Sequence, residues 1–158
     1  MKKNINKKIT EGFTLIELII VMVILGIMAA VAVPRYLDSI SNAEESAENA
    51  VISSIRAGLK AAANDSLYTN GRASWPTNPF DALAEKPTGY DASDNGMEPG
   101  VGPLDGVADS DGEWTFDYDG SRITHQRADN SRHYWEYNKG TQTGDNAGIG
   151  SLGNREEL

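Results

Sequence analysis

The spacing of apolar and polar residues changes character three times along the chain. Residues 13–33 are almost continuously apolar, with Glu17 as the only charge. As a helix this segment is about 30 Å long, enough to cross a bilayer. A carboxylate in hydrocarbon costs several kcal/mol, so Glu17 calls for a positive partner. A second pattern follows over residues 36–64. Tyr36, Ile40, Ala43, Ala47, Val51, Ile55, Leu59 and Ala62 recur at three- and four-residue spacing. Glu44, Glu45 and Glu48 fall largely on the other side and read as a solvated face, or one that meets a neighbouring subunit. The segment is an amphipathic helix whose stripe is expected to pack on a sheet.

Residues 64–103 carry little periodicity. Trp75-Pro76, Asn78-Pro79, Lys86-Pro87, Pro99-Gly100 and Gly102-Pro103 are turn signals. Trp75, Phe80, Leu83 and Tyr90 are available to anchor this loop over the sheet, with a short helical turn over 80–85. Alternation then sets in. Trp114, Phe116 and Tyr118 interleave with Glu113, Thr115 and Asp117, predicting a half-buried strand. Asp119-Gly120 marks a hairpin turn. Residues 122–127 read as the return strand, and 132–137 as a third strand after a turn at 128–131. The stretch from Lys139 is rich in Gly, Asn and Thr and reads as a tail that is mobile or pinned by neighbours.

The fold class is therefore α+β: a long N-terminal α-helix, part transmembrane and part amphipathic, packed on a small antiparallel β-sheet. The expected segments are a leader at 1–12, a membrane helix at 13–34 and an amphipathic helix at 35–64. A connecting loop at 65–112, a β-meander at 113–138 and a glycine-rich tail at 139–158 follow.

Charge and composition narrow the function. Lys2, Lys3, Lys7 and Lys8 precede the apolar segment, and only Arg35 follows closely. The positive-inside rule then places residues 1–12 in the cytoplasm and the bulk of the chain outside. The net charge is −9, and without residues 1–12 ten basic side chains face 22 acidic ones, near −12. That argues against direct nucleic-acid binding through phosphates. There are no cysteines, so neither a disulfide nor a thiolate metal site can form. A secretory signal cleaved near Ala29-Ala30-Val31-Ala32, or a plain uncleaved anchor, would leave Glu17 unexplained.

The run Lys7-Lys8-Ile9-Thr10-Glu11-Gly12, followed by Phe13-Thr14-Leu15-Ile16-Glu17 and continuing through Gly26 to Pro34, resembles the N-terminal signal of type IV prepilins and type II secretion pseudopilins. The resemblance covers residues 7–36 and fades beyond. It implies cleavage between Gly12 and Phe13 by a prepilin peptidase, which also methylates the new amino group on Phe13. It implies insertion as a single-pass inner-membrane protein, then transfer by an inner-membrane assembly platform into a helical homo-oligomeric filament at the cell surface. In that filament Glu17 would neutralise the amino terminus of a neighbouring subunit. Gly26 and Pro34 mark places where the helix is expected to kink or melt. The missing C-terminal disulfide loop departs from many type IV pilins. A pseudopilin in a short periplasmic fibre is the alternative, and a non-assembling membrane-anchored binding domain is another.

Further chemistry is sparse. Asp105, Asp109, Asp111 and Glu113 gather hard oxygen ligands around glycines, the donor type that calcium takes. A structural calcium there would replace the missing disulfide, but a solvated acidic loop is the plainer expectation. His125 and His133 fall on neighbouring strands and read as ordinary sheet histidines. The aromatics Trp114, Phe116, Tyr118, Tyr134, Trp135 and Tyr137 read as core. No nucleophile elbow, phosphate loop or zinc-protease helix is present, so no enzymatic activity is expected.

Overall fold

The computed structural model describes residues 12–93, 95, 106–141 and 149–158. Helix α1 covers Leu15–Asn70, a single 3-10 turn covers Pro79–Ala82, and four strands follow: β1 Trp114–Asp117, β2 Arg122–Gln126, β3 Arg132–Asn138 and β4 Ser151–Glu157. The chain divides within α1 into two compact units, Met1–Ala43 and Glu44–Leu158. Each is described by itself.

In the first unit, every described residue from 12 to 40 is exposed. This part of α1 contains an apolar stretch long enough to span a membrane, with a mean hydropathy of 2.9. The helix continues through Gly26 and Pro34. Proline has no amide hydrogen, so the carbonyl one turn earlier, at Ala30, has no backbone donor there. Just beyond, the Ser39 hydroxyl donates back to the Arg35 carbonyl at 2.9 Å.

The second unit is built on an antiparallel sheet in the order β1-β2-β3-β4. One face of α1 contributes Ile52, Ile55 and Leu59 to a core shared with Phe80, Trp114, Phe116, Ile123, Trp135 and Tyr137. Ala63 is buried on the same face of the helix. The buried stripe is rotated relative to the one expected. Ile55 and Leu59 belong to both, but Ala43 and Ala47 are exposed, and Glu48 is buried. Glu48 is thus not part of a solvated face. The helix also runs past residue 64 and stops at Asn70, where Gly71 takes a left-handed φ of 71° while its N–H still reaches the Leu67 carbonyl at 2.9 Å.

The loop after α1 is anchored as its aromatics suggest. Phe80 is fully buried, while Trp75, Leu83 and Tyr90 pack on the core. Asn78 caps the 3-10 turn by accepting the Phe80 N–H at 2.9 Å. Strands β1 and β2 are buried on both faces rather than one. Residues 106–108 cover the second face: Thr115 Oγ1 donates to the Gly106 carbonyl at 2.5 Å, and the Ala108 N–H donates to Thr124 Oγ1 at 2.8 Å.

The C-terminal residues differ most from the expected tail. Ser151–Glu157 form β4, paired along β3 with a register shift between Trp135 and Tyr137. Backbone pairing and polar anchors build this strand, which has little apolar alternation of its own.

Candidate functional site

The N-terminal site begins at Gly12 and Phe13, both exposed, with Phe13 at 94%. Thr14 stands just before α1, and Glu17 is its third helical residue. The Glu17 carboxylate accepts the Thr14 N–H at 2.8 Å and the Thr14 hydroxyl at 2.7 Å, while the Glu17 N–H donates to Thr14 Oγ1 at 3.3 Å. This reciprocal arrangement is a capping box, which satisfies amide donors left open at a helix start. Glu17 is therefore engaged within its own chain, with its carboxylate turned back towards the proposed cleavage point. Gly26 and Pro34 lie further along the same helix, and the geometry does not bring either to Glu17.

A second polar centre lies in the Glu44–Leu158 unit. Glu48 is fully buried on α1. Arg127, just past β2, grips it with two hydrogen bonds, Nε to Oε1 at 2.7 Å and Nη2 to Oε2 at 2.6 Å. His125 Nδ1 lies 2.9 Å from Oε1, and Arg155 Nη1 donates to Oε2 at 3.2 Å. Arg155 also reaches Glu45 at 3.1 Å, and Glu44 accepts the Ala128 N–H at 3.2 Å. The Glu48 carboxylate is held down to about pH 2: burial opposes ionisation, but the hydrogen bonds from Arg127 and His125 outweigh it. An ionised carboxylate only accepts, so His125 carries its proton on Nδ1.

His133 pairs with His125 across the strands and points at the same carboxylate. Its Nδ1 is 3.9 Å from Glu48 Oε1, too far for a hydrogen bond, and is buried without a partner among the described residues. Burial and the nearby Arg127 charge lower its pKa. The two histidines are thus neighbours, as the meander implied, and both face the Glu48 carboxylate. Sequence reasoning missed this centre. The available signal was that Glu48 shares the three- and four-residue spacing of Ile52, Ile55 and Leu59.

The acidic loop divides. Asp105 lies outside the described residues. Glu113 Oε2 accepts the backbone N–H groups of Asp109 at 2.8 Å and Ser110 at 2.9 Å. That carboxylate is therefore committed to the loop's own backbone. Asp109 and Asp111 are exposed. Among the described residues, no three histidine, aspartate or glutamate side chains gather to hold a metal ion. Of the aromatic set, Trp114, Phe116, Trp135 and Tyr137 are buried, whereas Tyr118 and Tyr134 are only half-buried.

Residues 7–33 match the family model described as the prokaryotic N-terminal methylation motif. The N-terminal half of the chain is similar to type IV pilins and to a type II secretion core protein. Relatives of this chain include a type IV major pilin protein of Neisseria gonorrhoeae, 40% identical over 77 residues, which are 49% of this chain and 43% of the relative. The fimbrial protein EcpC of Eikenella corrodens is 36% identical over 72 residues, 46% of this chain and 43% of the relative. The type II secretion system core protein G of Pseudomonas aeruginosa is 36% identical over 81 residues, 50% of this chain and 53% of the relative. The chain thus spans about half the length of these curated relatives, or less. No solved structure matches it.

Proposed function

We propose that this chain is a structural, non-enzymatic subunit of a type IV pilus-like filament. The observation that carries this reading is a methylation motif over residues 7–33 laid on an exposed apolar helix with one carboxylate. Cleavage between Gly12 and Phe13 creates an amino terminus two residues before the Leu15 start of α1. Methylation of Phe13 keeps that amine basic. The chain waits in the inner membrane as a single-pass protein and then enters a helical homo-oligomer, in which its apolar face is covered by neighbours. Glu17 leaves its capping contact with Thr14 and meets the amino terminus of an adjacent subunit. A buried pair offsets desolvation only when both partners are present, so a subunit docked out of step leaves Glu17 uncompensated.

Intact-mass and N-terminal peptide spectrometry on sheared fibres tests this directly. The expected species starts at methylated Phe13. The Glu17→Ala variant should still insert and be cleaved, but should be depleted from the sheared fraction. A chain retaining Met1 in the membrane, beside an active prepilin peptidase, overturns the reading in favour of an anchored domain. The likeness to secretion core protein G supports a second reading, a pseudopilin in a short periplasmic fibre. Its processed chain would be found in the cell envelope and absent from sheared surface fibres.

A further inference from the structure

Two sets of exposed charges in the Glu44–Leu158 unit have no opposite charge beside them among the described residues. The first is a notch of about 290 Å³ lined by Arg56, Lys60, Trp75, Gly150, Ser151 and Leu152. Arg56 and Lys60 stand one turn apart on α1. Arg56 Nη2 donates to the Gly153 carbonyl at 2.7 Å, a neutral acceptor that fixes the guanidinium and leaves its charge unbalanced. Lys60 is exposed and has no partner among the described residues. Among the described residues, no carboxylate lines the notch. The second set is the exposed pair Asp109 and Asp111. Asp109 accepts only from the neighbouring Ser110 hydroxyl, at 3.1 Å. Glu113 fixes this loop through its two backbone contacts, and the Gly112 N–H ties it to the Gln126 carbonyl at 2.8 Å.

Strand register locates the two sets. The acidic loop leads into β1 and is bonded to the last residue of β2. The notch sits against the start of β4, where Leu152 and Ser151 pair with Tyr137 and Asn138 at the end of β3. With antiparallel order β1-β2-β3-β4, these places are on opposite edges and at opposite ends of the strands. They are diagonal corners of one sheet, so a single chain cannot join them.

We propose that the Arg56–Lys60 notch of one subunit receives the Asp109–Asp111 loop of a second copy of this chain. The proposal rests on the filament reading above and names a contact within it. Two different patches meeting head to tail form a heterologous interface, the type that continues into an open helical assembly. Charge supplies the reason for such a contact. Processed subunits, with ten basic side chains against 22 acidic ones, repel one another, and pairing the unbalanced cations with the unbalanced acids offsets that repulsion at the point of closest approach.

The test is a charge swap in the full-length chain, expressed in its native host and read as sheared-fibre yield against membrane-fraction content. Lys60 and Asp111 are suitable because both are exposed and neither has a side-chain partner among the described residues. Lys60→Glu and Asp111→Lys should each lower fibre yield about tenfold or more, since like charges placed together at an interface are costly. The double variant should recover most of the wild-type yield. A second readout uses the absence of native cysteine. Fibres of the Lys60→Cys/Asp111→Cys chain should oxidise to a ladder of covalent multimers that dithiothreitol collapses, whereas neither single cysteine gives more than a dimer. Single reversals that assemble like wild type overturn the proposal. So does a double variant no better than the poorer single, or cysteine-pair fibres without a ladder. In each of these results wild-type fibres are present and the filament reading stands. A wild-type chain that never reaches fibres overturns both.

Discussion

Glu48 occupies the same helical stripe as Ile52, Ile55 and Leu59, a position where an apolar side chain would ordinarily pack. Its charge is tolerated because Arg127 supplies a two-pronged partner and His125 and Arg155 add further donors. Removing one member of a buried ionic group strands the others in a poorly solvated interior. Glu48→Ala should therefore destabilise the folded unit by about 3–5 kcal/mol in urea melts. Glu45→Ala should cost under about 1 kcal/mol, because that pair is partly exposed. Glu17 stood out in the sequence as a single charge in an apolar run, but the burial of Glu48 did not. A helical stripe assigned by hydropathy places every glutamate outside it. Only the arrival of Arg127 and Arg155 from residues 79 and 107 positions away explains the burial.

At the scale of elements, β1 to β3 were readable because apolar residues alternate and the turns are signalled. Asp117 accepts the Gly120 N–H at 2.9 Å and the Arg122 Nε at 2.7 Å, binding the hairpin as its Asp-Gly turn suggests. Strand β4 has Leu152 as its one large apolar residue and two glycine-flanked positions near its start, so periodicity could not find it. Its identity lies in backbone pairing with β3, in Arg155, and in Tyr134, whose hydroxyl donates to Glu156 at 2.6 Å. Arg155→Ala removes the ties to Glu45 and Glu48 together. It should speed amide hydrogen exchange in Ser151–Glu157 more than in β1 or β2. Equal acceleration across the whole sheet would show that Arg155 supports the global fold rather than this strand.

For the molecule as a whole, the buried cluster sets how stability responds to acid. The His133 pKa is lowered by burial, so below about 6.5 the unfolded chain takes up a proton before the folded one does. The Glu48 pKa is also lowered, so its contribution, fully present above 4.5, is lost as pH falls through about 2. Both effects have the same sign. Thermal melts should show the midpoint falling in two stages, one beginning below pH 6.5 and a steeper one below pH 4.5. His133→Gln should remove the first stage and keep the second.

The distance along the chain between Glu48 and its partners also imposes an order of events. Residue 48 is synthesised early, while Arg127 and Arg155 follow much later. Until then the carboxylate has no guanidinium to meet, and α1 lacks the sheet that covers Ile52, Ile55 and Leu59. A chain interrupted before β4 would lack Arg155 and leave the Glu48 carboxylate short of one of its donors. Strand β4 thus serves as a completion mark for this unit: the ion cluster around Glu48 closes only once Arg155 has joined it.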